Sequence, residues 1–98
     1  MEEQFFIKNT ESNVSLTSEQ KVHLNRRGNE LFNSGDIMGA ARIFVTTGYS
    51  DGLTRIGDHF FQKNEKITAL KYYTLAKNKT NVDVLVQELT SVIRLMLN

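Results

Sequence analysis

The chain has 98 residues, a formal net charge of +1, 40% hydrophobic and 23% charged residues, and neither cysteine nor proline. That is enough chain for one domain, without a disulfide scaffold, a thiolate metal site or a global charge driving it onto nucleic acid or an anionic membrane. The N-terminal MEEQFFIKN carries acidic residues and only a short apolar cluster, unlike a signal peptide, and no apolar run nears the roughly 20 residues that span a bilayer. A cytoplasmic location is the default expectation. It stays open if the sequence is a fragment of a longer protein, as the apolar ending SVIRLMLN allows.

Residues 1–15 contain Asn9, Ser12, Asn13 and Ser15 and lack helical periodicity, so an irregular segment is expected there, ahead of one helical domain over 16–98. A chain without proline reads easily as helix after helix. Thr17 with Gln20 three residues on resembles a capping box, which starts a helix near Ser18. Its apolar face is Leu24, Gly28, Leu31 and Phe32. Asn33-Ser34-Gly35-Asp36 is a tight turn in which Gly35 can take positive φ and Asp36 can cap the next helix. The second helix presents Ile37, Ala40, Ala41, Phe44 and Val45, and Gly48 ends it. Ser50 or Asp51 opens a third, with Leu53, Ile56, Gly57, Phe60 and Phe61 on its face. The turn Lys63-Asn64-Glu65 puts Asn64 in the left-handed role of Gly35, and a fourth helix follows with Ile67, Leu70, Tyr73 and Ala76. A fifth, Thr80 to Leu97, carries the stripe Val82, Leu85, Val86, Leu89, Ile93 and Met96. The expected fold class is all-α.

Four of these positions repeat at one offset of 29 residues: Gly28 as Gly57, Phe32 as Phe61, Ala40 as Ala69, and Phe44 as Tyr73. Small residues at a helix crossing, with a large ring beside them, specify close antiparallel packing of a helical hairpin. One hairpin cannot bury both faces, so repeated hairpins stack. The first copy reads Leu24, Arg27-Gly28, Leu31, Gly35-Asp36, Ala40 and Phe44. The second reads Leu53, Ile56-Gly57, Phe60, Asn64-Glu65, Ala69, Tyr73 and Ala76. Over roughly residues 22–78 this pattern resembles the tetratricopeptide repeat, with Leu at the family's Trp position and no closing Pro. The resemblance implies two stacked tetratricopeptide-like hairpins plus a C-terminal capping helix, an α-solenoid fragment. Another kind of α-solenoid hairpin array is the alternative.

Three function classes are weighed. Catalysis finds little support, because His23 and His59 stand alone, the carboxylates are scattered, and no phosphate loop follows Gly48 or Gly52. No catalytic residue, metal site or cofactor is expected. Nucleic acid is the second class. Lys63, Lys66, Lys71, Lys77 and Lys79 against Glu65 make residues 62–79 locally +4, with Tyr72 and Tyr73 interleaved, although lysine is also an ordinary helix former on a solvated face.

The third class is a non-catalytic protein-interaction module, which is what the resemblance implies: a scaffold or adaptor holding a partner peptide or helix on the face of the first helices. Asn25, Asn29 and Asn33 recur every four residues on the first helix beside Phe32, and Thr54, Asp58 and Gln62 do so on the third beside Phe61. Amide groups donate and accept together, which suits a peptide backbone, whereas a plain solvated row is the bland reading. At the C-terminal helix, Leu95, Met96 and Leu97 exceed what a cap uses, and they point to an interface with another copy, a partner or further chain.

Overall fold

A computed structural model describes residues 15–98; the irregular segment expected over 1–15 lies, except for Ser15, outside them. Among the described residues there are five α-helices and no strand: α1 Ser18–Asn33, α2 Ile37–Thr47, α3 Ser50–Gln62, α4 Lys66–Leu75 and α5 Lys79–Leu97. The all-α expectation holds. The chain divides after Thr47 into two compact units, the first holding α1 and α2 and the second α3, α4 and α5.

In the first unit the capping box forms as the sequence predicts. Gln20 N–H donates to Thr17 Oγ1 at 3.1 Å and Thr17 N–H donates to Gln20 Oε1 at 2.9 Å. At the other end Gly35 takes φ 97°, so Asp36 N–H can reach back to Leu31 C=O at 2.8 Å and close the helix. Asp36 then receives Gly39 N–H on its Oδ1 at 2.9 Å, starting α2. The two helices meet at Gly28, where the ring of the fully buried Phe44 lies over the backbone. Thr47 donates its hydroxyl to Asn25 Oδ1 at 2.6 Å and ties the far end of α2 to α1.

The second unit repeats these devices. Asn64 takes φ 64°, and Glu65 N–H reaches Phe60 C=O at 2.9 Å. The α3–α4 crossing is built on Gly57, against which the ring of Tyr73 packs, and Ala69 is fully buried in α4. Ser50 Oγ donates to Ala76 C=O at 2.7 Å, joining the start of α3 to the end of α4. The left-handed closure then recurs at a place the sequence does not advertise. Lys77 takes φ 58°, and Asn78 N–H bonds Tyr73 C=O at 3.0 Å. Asn78 also caps α5 by accepting Asn81 N–H at 3.1 Å, so α5 starts at Lys79, one residue ahead of the expected Thr80.

Leu85 of α5 completes a buried cluster with Ala69 and Tyr73, edged by Phe60, Leu70 and Val82. Two expectations need correction here. Ile67 is 69% exposed, because the buried face of α4 is Ala69, Tyr72, Tyr73 and Ala76. A row read every third residue drifts by about 60° per step on a helix of 3.6 residues per turn, which carries Ile67 to the side opposite Ala76. The α5 stripe also packs only through Val82, Leu85 and Leu89: Val86 is exposed, and residues 90–98 are all exposed, including Ile93 and Met96. The reason is length. Lys66, the first residue of α4, pairs with Glu88 of α5, and beyond that point α4 offers no more surface. Among the described residues no helix is long and apolar enough to cross a membrane.

Candidate functional site

In the second unit a cleft of about 250 Å³ is lined by Asp58 and Phe61 of α3, Tyr73 of α4, and Asn81, Val84 and Leu85 of α5. Each element contributes by its register. On α3, Asp58 and Phe61 lie one turn apart, and Phe61 stays 40% exposed at the mouth. On α5, Asn81, Val84 and Leu85 share a face at i, i+3 and i+4; Leu85 is buried while Val84 is 57% exposed. Tyr73 closes the floor and donates its hydroxyl to Asp58 Oδ1 at 2.5 Å.

That hydrogen bond sets the electrostatics. Burial raises the Tyr73 phenol well above its ordinary value, and the hydrogen bond to Asp58 and that carboxylate's negative charge raise it further. The phenol therefore stays protonated and donates, while Asp58 accepts. Tyr72, also buried, is raised by desolvation. A half-buried carboxylate in an apolar cleft, an amide, two apolar walls and an exposed ring suit binding of a side chain or a backbone segment.

The predicted site residues divide between this cleft and other places. Asp58 and Phe61 are in it. Asn25 and Thr54, the first members of the two polar rows, are engaged within their own units: Asn25 accepts from Thr47, and Thr54 Oγ1 accepts from Asn78 Nδ2 at 3.4 Å. They tie helices together and are only half-buried. Asn29 and Phe32 are half-buried, and Asn33 and Gln62 are exposed at the ends of α1 and α3. The α5 contribution of Asn81, Val84 and Leu85 is not visible in the sequence spacing. Spacing marked Leu85 only as a stripe residue, and Val84 falls outside that stripe.

In the stretch 62–79 both aromatic residues are buried, Tyr72 to 4% and Tyr73 to 3% exposure, so neither presents a face for base stacking. Lys66 pairs with Glu88, Lys79 Nζ lies 4.0 Å from Asp83 Oδ2, and Lys71 Nζ lies 5.5 Å from the centre of the Tyr72 ring. The C-terminal positions Leu95, Met96 and Leu97 are 76%, 79% and 81% exposed on the part of α5 that runs past α4. Among the described residues no group of three or more His, Cys, Asp or Glu is placed to hold a metal ion.

No protein-family model matches the chain, and no solved structure matches it. It is 43% identical over 94 residues to an uncharacterised protein of Treponema pallidum (strain Nichols), across 95% of this chain and 90% of that one.

Proposed function

This chain belongs to the same family as the Treponema pallidum protein, and we propose that it is a non-catalytic, tetratricopeptide-like protein-interaction module of the α-solenoid kind. The observation that carries the reading is the cleft between α3, α4 and α5, where exposed Phe61 and Val84 flank a floor of Tyr73 and Leu85 with polar groups at Asp58 and Asn81. An apolar trough with a few fixed polar groups is the usual chemistry for seating a peptide or a partner helix. The repeat of Gly28 with Phe44 and Gly57 with Tyr73 supports the tetratricopeptide-like reading, since both hairpins use one crossing device. Within the first unit, Asn29, Phe32 and Asn33 of α1 are the corresponding partner-contacting positions of this proposal.

The test is capture from native lysate with wild-type chain and with Val84→Arg, which sets a cation in the cleft at a position that is already exposed. A protein retained by wild type and lost by the variant supports the module. Identical captures count against it. The second reading, nucleic-acid binding through 62–79, rests on its local charge, and buried Tyr72 and Tyr73 weaken it. A mobility shift with single-stranded RNA at low salt, abolished by replacing Lys63, Lys71 and Lys77, would favour it.

A further inference from the structure

Of the six residues lining the α3–α4–α5 cleft, Asp58 alone carries a formal charge. Its carboxylate is half-buried, and among the described residues its hydrogen-bond partner is the Tyr73 hydroxyl, on Oδ1. A carboxylate accepts about four hydrogen bonds, so capacity remains after Tyr73 has used one. Of the acidic residues of α5, Asp83 lies within 4.0 Å of Lys79 Nζ and Glu88 is paired with Lys66, and neither lines the cleft, which leaves Asp58 as the charge that a ligand in the cleft would meet. Around it stand apolar Phe61, Val84 and Leu85.

Resting on the module reading above, we infer that the cleft selects a peptide or helix carrying an arginine or lysine next to an aliphatic side chain, and that it rejects acidic segments. The cation meets Asp58, and the aliphatic group fills the space between Phe61 and Val84. Desolvation inside the trough strengthens the charge pairing relative to water. An acidic ligand would bring like charges together in the same place, which penalises the wrong partner. Asn81 supplies both a donor and an acceptor for the ligand's backbone.

Random peptides displayed on phage, selected in parallel against the full chain, Asp58→Asn and Val84→Arg, test this. Asp58→Asn keeps an acceptor for Tyr73 and removes only the charge, and circular dichroism melts verify that each variant is folded. The expected result is enrichment of peptides pairing Arg or Lys with Leu, Ile or Val on wild type. Their synthetic versions should bind Asp58→Asn roughly tenfold or more weakly. Enriched peptides without a basic residue, or binding unchanged in Asp58→Asn, would overturn the charge selection; the module reading survives if Val84→Arg still abolishes binding. No enrichment on wild type, or equal enrichment on Val84→Arg, would overturn both.

Discussion

The ring of Tyr73 lies directly on the backbone of Gly57: a Cβ at that position would sit 2.6 Å from Cδ1, far inside van der Waals contact. Phe44 lies on Gly28 in the same way, at 2.5 Å from Cε1. Both glycines are in helix interiors, where alanine would ordinarily be preferred by about 1 kcal/mol. Forcing a methyl group against a buried ring costs about 1–3 kcal/mol and outweighs that gain. Gly57→Ala and Gly28→Ala should each lower the urea midpoint without changing the slope of the transition. A raised midpoint would mean that the rings can step aside.

Ala40 and Ala69 are fully buried at equivalent places in the two hairpins. Leucine at either should overpack the crossing by about 1–3 kcal/mol. Equilibrium unfolding of Ala40→Leu and Ala69→Leu checks this, and silent substitutions would contradict the hairpin packing.

Tyr73 and Asp58 give a prediction in pH. The folded state holds the Tyr73 proton more tightly than the unfolded chain does, because of burial, then the hydrogen bond to Asp58 and its charge. Stability from this source is complete below the unfolded phenol's value of about 10 and is lost as pH rises beyond it. Tyr73→Phe should flatten part of that alkaline loss, leaving the smaller part due to Tyr72. At neutral pH the same variant should be less stable by about 1–2 kcal/mol, because Asp58 loses its donor. Melting temperatures from neutral to strongly alkaline pH, compared between wild type and variant, decide it.

Leu85 joins Ala69 and Tyr73 in one buried cluster, whereas Leu95, Met96 and Leu97 stand exposed beyond α4. Truncation after Lys79 should therefore abolish cooperative unfolding. Truncation after Ile93 should leave the melting temperature within a few degrees and reduce any self-association seen by sedimentation velocity. If the chain sediments as a monomer at high concentration with or without residues 94–98, the C-terminal interface is not a self-association surface.

Turn chemistry was the most legible part of the sequence. Gly35, Gly48 and Asn64 all take positive φ, and Thr17 and Asp36 cap the helices they precede, because these effects are set within a few residues. Lys77 takes φ 58° with no such signal; its conformation follows from the closure Asn78 N–H makes on Tyr73. Facial assignments were less secure. Ile67 matched a row every third residue, yet the small residues Ala69 and Ala76 with the two tyrosines form the buried side. Periodicity reports an apolar face but not the length of the partner helix, so the end of the α5 contact at Leu89 could not be read from it. The candidate site was half legible. Asp58 and Phe61 came from spacing on one helix, but the α5 wall depends on how three helices converge, and Asn25 and Thr54 proved to be ties within their own units.

Whether the cleft walled by Phe61 and Val84 seats a partner is decided by titration calorimetry of a captured partner against wild type and Val84→Arg. Val84 is 57% exposed, so arginine there leaves the buried cluster intact and the melting temperature within a few degrees of wild type. Val84→Arg should weaken binding roughly tenfold or more, about 1.4 kcal/mol at least. Equal affinity for both proteins, at equal stability, would contradict a partner seated there.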